Sequence, residues 1–546
     1  MIKQLLALMI SATFVTAAFA YDLNVGGLCY NYTDDGKSVY VTSETGGYPA
    51  YTSLSGAVKI PFGIVCSGVL RNVIGIDQQA FYGCTNITSV VIPQTVVSIG
   101  YSAFNGCTGL QSLTIMDETL TTIQMYAFLG CSALKSVTLP NSVTYIGDEA
   151  FRNCSALATL SLGNSLQTIG SSAFLDCTSL KQVVIPNSVT SLGGSAFYNC
   201  TGLTSATIGN SLQEIENSTF QNCSSLSTVN FGNSVTTIAY AAFRDCIRLN
   251  DIKLPESLNT IGQNAFYGCE GLRSLTIPNS VYTIGSEAFR NCSALTTLSL
   301  GNSVQTIGSS AFWGCTSLKQ VVIPNSVTSL GGSAFYNCSD LTSATIGNSV
   351  REIDNSTFFN CNNLTTVNFG NSVTSIAYAA FRYCIRLNNI ILPESLNTIG
   401  QNAFDGCTDM RSVTIPASVY TIDIEAFRNC VGLTDIKSYP DPTMVKLGAD
   451  VFLSVPRRSC TIHVLPQYLS AYKAADQWKE FCFITDDLTV GTPGDLNDDG
   501  NVNAGDVSEL YSAILRGANE AVYDLNTDGN INAGDISTLY SIILGQ

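Results

Sequence analysis

Histidine is almost absent from this sequence, with His463 the single copy among 546 residues. Active sites of the Ser/His/Asp or Cys/His type need an imidazole beside the nucleophile, so most of the chain cannot carry one. Paired carboxylates are the remaining option. Asp148, Glu149 and Glu287 lie at variable polar positions where no cleft is expected, and solvated surface charge explains them better. His463 is expected to be an inert surface residue, and the sequence predicts a protein that is not an enzyme.

Charged residues are also scarce, at 12% of the chain, and their balance is acidic. The 25 Lys and Arg residues against 41 Asp and Glu residues give a formal net charge of −16. A negative surface repels nucleic acid phosphates and acidic membrane surfaces. Nucleic acid and acidic membranes are therefore excluded as partners.

Long apolar runs are confined to the start of the chain. Residues 1–20 combine the lone Lys3, an apolar run from Leu5 and the small-residue triplet Ala18-Phe19-Ala20, which is typical of a secretory signal peptide cleaved near Ala20. No later stretch has the roughly 18 uninterrupted apolar residues that a membrane helix needs. The sequence predicts a secreted or cell-surface protein without a transmembrane segment.

Cysteine is abundant, but its spacing argues against a disulfide framework. Sixteen of the 20 cysteines, from Cys84 through Cys107 and Cys131 to Cys430, occupy one repeat position surrounded by apolar residues. In-register side chains on stacked coils leave the Cβ atoms farther apart than the roughly 3.8 Å that a disulfide prefers. We therefore predict a buried row of free thiols. Outside it, Cys29 with Cys66 and Cys460 with Cys482 are either disulfides or free, and the sequence leaves both alternatives open.

A 23-residue repeat fills residues 76–446 with sixteen units, interrupted only by one inserted residue near Met116. In the unit that starts at Ile146, Leu160 and Leu162 alternate with polar residues and predict a short strand ended by a Gly-Asn turn. Ala150, Phe151 and Cys154 have the spacing of a short helical turn. One such coil cannot bury its own apolar face, so stacked coils are expected to form an α/β solenoid with a parallel sheet on one face.

The exposed face of that sheet is the predicted binding surface. Its residues are mostly small and polar, although two arginines lie among them: Lys135, Ser136, Thr138, Thr296, Thr297, Ser299, Thr365, Thr366, Asn368, Arg273 and Arg411. Aromatic residues follow the repeat phenylalanine at Tyr198, Tyr267, Trp313 and Tyr336, where they either pack at the coil edge or contact a ligand. The block from Ile146 recurs from Ile284, six repeats later, so a site in one block is expected in its copy.

Units such as AFRNCSALTTLSLGNSVQTIGSSAF resemble the BspA-like leucine-rich repeats of bacterial surface proteins. In the same resemblance, residues 21–75 correspond to a β-rich N-terminal cap and residues 447–487 to a C-terminal cap. Members of this family are implicated in adhesion, which implies a protein or glycan ligand on the solenoid without identifying it.

After a short linker at residues 488–493, the tail contains two twelve-residue loops that begin at Asp495 and Asp524. Calcium prefers oxygen ligands, and each loop supplies them at positions 1, 3, 5, 7 and 12, with Gly at position 6 for the sharp turn. Each loop leads into a helix with apolar residues at i, i+3, i+4, i+7 and i+8. The predicted ligands of two calcium ions are Asp495, Asn497, Asp499, Asn501, Asp506, Asp524, Asn526, Asp528, Asn530 and Asp535.

The paired loops and helices of residues 494–546 resemble a type I dockerin, a small all-α calcium-binding module that docks onto cohesin domains. In that family, loop positions 10 and 11 contribute to the choice of cohesin; here they are Ala504-Gly505 and Ala533-Gly534 instead of hydroxyl-bearing residues. The resemblances together imply a non-catalytic adhesion or recognition protein that attaches to a partner through its tail. The alternative is a component of a polysaccharide-degrading complex. A non-catalytic component fits the sequence better than a catalytic one.

Overall fold

The computed structural model describes residues 21–116, 119–489, 496, 502, 504–516, 523–526 and 530–544. The predicted signal peptide, residues 1–20, lies outside the described residues. The chain divides into two compact units, one ending at Leu212 and the other beginning at Gln213. Each is described separately.

The first unit opens with strands that are partly antiparallel. They are β1 (Leu23–Val25), β2 (Leu28–Tyr32), β3 (Ser38–Thr42), β4 (Gly56–Lys59), β5 (Gly63–Cys66) and β6 (Val69–Ile76). β2 pairs with β1 and β3 in antiparallel fashion, whereas β6 runs parallel to β3 and to the two-residue strand Ser98–Ile99 of the first repeat. This segment has the β-rich character expected of residues 21–75.

The later coils of the first unit build two rows of parallel strands. The longer strands, which we call the long-strand row, are β7 (Ile87–Ile92), β9 (Ser112–Ile115), β11 (Ser136–Thr138), β13 (Thr159–Ser161), β15 (Gln182–Val184) and β17 (Ser205–Thr207). The two-residue strands, the short-strand row, are β8 (Ser98–Ile99), β10 (Thr122–Ile123), β12 (Tyr145–Ile146), β14 (Thr168–Ile169) and β16 (Ser191–Leu192).

The second unit repeats the same plan. Its long-strand row comprises β19 (Thr228–Asn230), β22 (Ser274–Thr276), β24 (Thr297–Ser299), β26 (Gln320–Val322), β28 (Ser343–Thr345), β30 (Thr366–Asn368), β32 (Asn389–Ile391), β34 (Ser412–Ile415), β36 (Asp435–Ser438), β38 (Thr461–Val464) and β39 (Phe483–Thr485). Its short-strand row comprises β18 (Glu214–Ile215), β20 (Thr237–Ile238), β21 (Thr260–Ile261), β23 (Thr283–Ile284), β25 (Thr306–Ile307), β27 (Ser329–Leu330), β29 (Glu352–Ile353), β31 (Ser375–Ile376), β33 (Thr398–Ile399), β35 (Thr421–Ile422) and β37 (Lys446–Leu447).

The predicted repeat solenoid is confirmed, but its apolar Ala-Phe-Cys segment forms tight turns instead of a short helix. The backbone N–H of Asn153 donates to Leu175 of the next coil at 2.8 Å, and that of Phe151 donates to Ala173 at 2.7 Å. A helix would have directed these donors to residues four positions back in the same coil. Glu149 and Asn153 have φ values of 54° and 61°, which also break a helical path.

Stacked phenylalanines and thiols fill the interior of each unit. Phe151 and Phe174 are parallel with ring centroids 5.3 Å apart, as are Phe289 and Phe312 in the second unit. Beside them runs the predicted row of sixteen buried cysteines. Thiols of this row donate hydrogen bonds to phenylalanine carbonyls of the preceding coil. Cys154 donates to Phe128 at 3.3 Å, and Cys177 donates to Phe151 at 3.3 Å. Burial raises the pKa of the Cys154 thiol to about 12.

All 20 cysteines are free thiols in the described structure. Neither open pair outside the row forms a disulfide. Cys29 is buried and receives a contact from Asn24, whereas Cys66 lies 3.2 Å from the Tyr32 hydroxyl. Cys460 is buried and Cys482 is exposed.

The few helices lie toward the C-terminus. Helix α1 (Leu469–Ala474) is flanked by two 3-10 turns, Pro466–Tyr468 and Trp478–Glu480. Trp478 is buried with its ring centroid 4.7 Å from that of Phe452, which stacks on Phe427 at 6.0 Å and ends the phenylalanine row. Helices α2 (Ala504–Arg516) and α3 (Ala533–Leu544) form the tail. None of the described helices is long and apolar enough to cross a membrane.

Candidate functional site

Helices α2 and α3 begin at equivalent points of the two predicted calcium loops. The last ligand position of each loop, Asp506 or Asp535, lies in the first turn of its helix and is fully buried. The Asp506 carboxylate accepts the backbone N–H of Leu496 at 2.6 Å. The Asp535 carboxylate accepts the N–H groups of Asn526 at 3.3 Å and Asn532 at 2.7 Å. Both carboxylates therefore tie the helix back onto the loop that precedes it.

Half of the predicted ligands can be placed. Asp506, Asp524, Asn526, Asn530 and Asp535 are described, and Asp524 is buried while Asn530 is exposed. Asp495, Asn497, Asp499, Asn501 and Asp528 lie outside the described residues. Among the residues that can be described, no three acidic, His or Cys side chains come together as a metal site. The described part nevertheless fits calcium chemistry, because buried carboxylates are costly to desolvate unless they are paired or bind a cation.

The predicted apolar faces of the two helices divide into a buried and an exposed part. Val507, Leu510 and Leu539 belong to the tail's core, together with Leu496, Ala513 and Tyr523. At matching positions, four large residues are exposed instead: Tyr511 at 50%, Leu515 at 86%, Tyr540 at 48% and Leu544 at 66%. The sequence periodicity placed these four on the apolar face, and the structure leaves them at the surface.

The predicted partner-binding positions lie in the first turns of the same helices. Ala533 is exposed and Gly534 half-buried, and the Asn532 side chain accepts the Gly534 N–H at 2.7 Å. Gly505 is half-buried, and Ala504 is the first residue of α2. The two pairs therefore occupy equivalent places.

The long-strand row presents the predicted solenoid surface to solvent. Its predicted residues are exposed in both units: Lys135, Ser136, Thr138, Thr296, Thr297, Ser299, Thr365, Thr366, Asn368, Arg273 and Arg411. Between them, residues such as Val137 and Val367 are buried. The surface offers hydroxyl and amide groups with few charges.

The aromatic residues that follow the repeat phenylalanine pack against one another. The Trp313 and Tyr336 rings stack with centroids 4.0 Å apart, and Tyr336 and Phe359 stack at 4.6 Å. Arg290 covers Trp313 at 4.5 Å and Arg244 covers Tyr267 at 4.6 Å. Because neighbours cover the ring faces, the packing interpretation of this edge is favoured over ligand contact.

His463 contacts two carboxylates, whereas the sequence predicted an inert surface residue. Its Nδ1 lies 2.9 Å from the Asp487 carboxylate and its Nε2 lies 3.1 Å from Asp435 Oδ1. The pKa of the Asp435 carboxyl is lowered by hydrogen bonds from Thr434 and then from His463. Burial raises the pKa of Asp487, but hydrogen bonding and charge from His463 outweigh it and the net shift is downward. Asp435 lies 28 residues before His463 and Asp487 lies 24 residues after it. Only the stacking of β36, β38 and β39, which Asp487 follows, brings the three residues together.

Family comparisons agree with this architecture. The model of the BspA type leucine rich repeat region matches residues 74–204, 155–273, 192–319, 259–384 and 328–455, which together span more than half of the chain. The chain belongs to this family. A dockerin type I domain model matches residues 493–544 of this BspA-type protein. Both domains are non-catalytic binding modules, and dockerin domains bind cohesins. Both are typical of extracellular or surface proteins of bacteria.

A solved structure shows the same solenoid. A leucine-rich repeat protein from Bacteroides ovatus is 27% identical, with a TM-score of 0.59 over 82% of this chain and 100% of that chain. A leucine rich cell surface protein from Faecalibacterium prausnitzii is also 27% identical, with a TM-score of 0.38 over 64% of this chain and 94% of that chain. Among curated proteins, none matches this BspA-type sequence.

Proposed function

We propose that this chain is a secreted, non-catalytic binding protein. The solenoid recognises a protein or glycan ligand, and the tail attaches the molecule to a cohesin-type partner when two calcium ions are bound. The observation that carries the proposal is the union in one chain of an exposed, weakly charged strand surface with a dockerin type I tail. The first suits recognition and the second suits attachment.

The tail has a surface suited to docking. Tyr511 and Leu515 on α2, and Tyr540 and Leu544 on α3, are large side chains that project into solvent at equivalent helix positions. Exposed apolar patches mark sites where proteins meet, and tyrosine is enriched among residues that dominate binding. The duplication offers two equivalent docking surfaces, one on each helix.

Calcium would be held by the loop oxygens, with Asp506 and Asp535 as the closing ligands. The ion supplies positive charge to a site whose carboxylates are withdrawn from water. Asp506 and Asp535 join the loops to the first turns of α2 and α3, so bound calcium stabilises the helices that carry the docking residues.

Capture by an immobilised type I cohesin tests the attachment role. The full chain is expected to bind in calcium and to be released by a chelator. Changing Tyr511 and Leu515 to Ala, or Tyr540 and Leu544 to Ala, is expected to leave one docking surface intact, whereas changing all four abolishes capture. Binding by the fourfold variant as tight as that of the wild type would contradict the proposal for the tail.

The second candidate function is a non-catalytic subunit of a polysaccharide-degrading complex, which the dockerin match favours. Under it, the tail binds a scaffold protein that also carries hydrolases, and the solenoid serves that assembly. Co-purification of the chain with a multi-cohesin scaffold supports this function. Attachment to a single surface-bound cohesin supports the adhesion role instead.

A further inference from the structure

Two exposed tyrosines stand apart from the packed aromatic edge of the solenoid. Tyr240 lies two residues after the short strand β20, and Tyr378 lies two residues after β31. Each side chain is 46% exposed. Within the described part of the chain, no aromatic ring or arginine is stacked on either ring, in contrast to Trp313 and Tyr336. Each side chain is therefore accessible to a ligand from solvent.

Exposed amides flank each tyrosine on the neighbouring coils. Asn217 precedes Tyr240 by one coil, and its side-chain oxygen accepts the Tyr240 N–H at 3.1 Å. Gln263 follows by one coil, and its backbone carbonyl accepts the Ala241 N–H at 3.0 Å. Asn217 and Gln263 are both exposed. An aromatic ring is thus placed between two side chains that carry amide groups.

The same row recurs in the duplicated block. Asn355 accepts the Tyr378 N–H at 3.1 Å, and Gln401 accepts the Ala379 N–H at 2.9 Å. Surface positions nearby have diverged between the copies: Gln221 corresponds to Phe359, Asp245 to Tyr383 and Lys253 to Ile391. The row of Asn, Tyr and Gln is unchanged. Six coils separate the two tyrosines, which is about 29 Å at roughly 4.8 Å per coil.

We infer that these two rows, Asn217–Tyr240–Gln263 and Asn355–Tyr378–Gln401, bind neutral glycans. The inference rests on the proposed binding function and specifies its ligand class. A pyranose has an apolar C–H face that suits the electron-rich face of an aromatic ring, and its hydroxyls both donate and accept hydrogen bonds. Amide side chains likewise donate and accept, so the flanking Asn and Gln match the hydroxyls around a stacked sugar.

The charge of the surroundings selects neutral sugars. Glu214 and Glu216 lie within three residues of Asn217, and Glu352 and Asp354 occupy the same places in the second block. Carboxylates accept hydrogen bonds from hydroxyls but repel the uronates and sulfates of acidic polysaccharides. Two rows on one chain also allow a long polymer to engage both at once, which increases the apparent affinity without new contacts.

Native gel electrophoresis of the full chain through soluble polysaccharides tests the inference. The probes are a mixed-linkage β-glucan and a galactomannan, with polygalacturonate as the anionic counterpart. The wild type is expected to be retarded by a neutral polymer and not by polygalacturonate. Tyr240→Ala or Tyr378→Ala is expected to raise the apparent Kd about tenfold, and the double variant about a hundredfold or more.

Tyr145→Ala is the matched control. Tyr145 is an exposed tyrosine on a short strand, but threonines flank it at Thr122 and Thr168 on the neighbouring coils. Its loss should leave retardation unchanged, and equal thermal melting of all variants shows that the coils remain folded. Absence of retardation by both neutral polymers, unchanged retardation of the double variant, or binding of polygalacturonate alone would each overturn the inference. Capture of a protein ligand by the solenoid in that case would leave the proposed binding function standing.

Discussion

Buried cysteine is used here as a core residue. Cys292, Cys315 and Cys338 have no exposed surface, and each thiol donates to a phenylalanine carbonyl of the preceding coil at 3.3 Å. Burial raises the pKa of the Cys315 thiol to about 12. The thiolate is the reactive form, so a thiol held protonated and out of contact with water is unreactive. The row can therefore persist as free thiols even in an oxidising environment.

Thiol labelling checks this arrangement. In the native protein we expect an aromatic disulfide reagent to modify the exposed Cys482 rapidly and the half-buried Cys66 more slowly. The other eighteen cysteines should react only after unfolding in denaturant. Cys482→Ser should remove the fast phase and serves as the control. Rapid modification of more than two thiols under native conditions would show that the row is accessible.

The contacts of His463 make a second prediction at this scale. The lowered pKa values of the Asp435 and Asp487 carboxyls stabilise the fold above the ordinary aspartate pKa of about 3.9. That contribution is lost as the pH falls through the lowered values. His463→Gln should lower the melting temperature at pH 5, and the gap from the wild type should close as the pH approaches 2.

Lys437→Gln is the comparison variant, because Lys437 lowers the pKa of Asp435 but is not among the groups that lower that of Asp487. Its effect should be smaller and follow the same pH dependence. A pH-independent loss in His463→Gln would indicate lost packing instead. The sequence could not reveal this contact, since local alternation shows only that His463 faces away from the apolar side.

At the scale of elements, most of the fold could be predicted from the repeat period in the sequence. The alternation at Leu160 and Leu162 predicted a strand, and β13 (Thr159–Ser161) lies there. The short strand Tyr145–Ile146 was not predicted, because two residues cannot display an alternation. The expected helical turn failed for a different reason: alternate backbone donors, such as those of Phe151 and Asn153, bond to the next coil. Such bonds depend on stacking and leave no local pattern in the sequence.

In the tail, too, the sequence predicted the elements but not the packing of their side chains. Helices α2 and α3 begin where the loop pattern predicted, and the predicted ligands Asp506 and Asp535 lie in their first turns. Periodicity alone could not distinguish the buried Leu510 from the exposed Tyr511, because both fall on the same apolar stripe. The size of the tail determines which of these residues is buried, since two short helices bury only the centre of such a stripe.

Calcium titration tests the two loops as separate elements. We expect the wild type to bind two ions, and Asp506→Ala or Asp535→Ala to bind one fewer because each removes a closing ligand. Chelation should also reduce helical circular dichroism, since binding and folding of small metal sites are coupled. Asp251→Asn, an acidic residue of the solenoid, is the control and should keep both sites. An unchanged stoichiometry in both loop variants would contradict the ligand assignment.

At the scale of the whole molecule, the duplication allows the solenoid to be shortened without changing the register between its coils. Thr283 and Thr421 end equivalent coils, and both are followed by an isoleucine, Ile284 or Ile422, that is buried in a short strand. Removing residues 284–421 would join Thr283 to Ile422 in the same repeat phase. The core residues at the new junction also match, because Leu272 and Met410 are buried at the same position.

We therefore expect the deletion of residues 284–421 to fold, with a stack shorter by about 29 Å at roughly 4.8 Å per coil. Stacked repeats are stabilised by contacts with their nearest neighbours, so the melting temperature should change little while the denaturant dependence of unfolding falls with the lost surface. Small-angle scattering and urea unfolding measure both. Deleting residues 284–410 instead breaks the repeat phase by eleven residues, which places polar positions in the phenylalanine and cysteine rows, and this variant should not fold. If the in-phase deletion also failed, the solenoid would depend on contacts beyond adjacent coils.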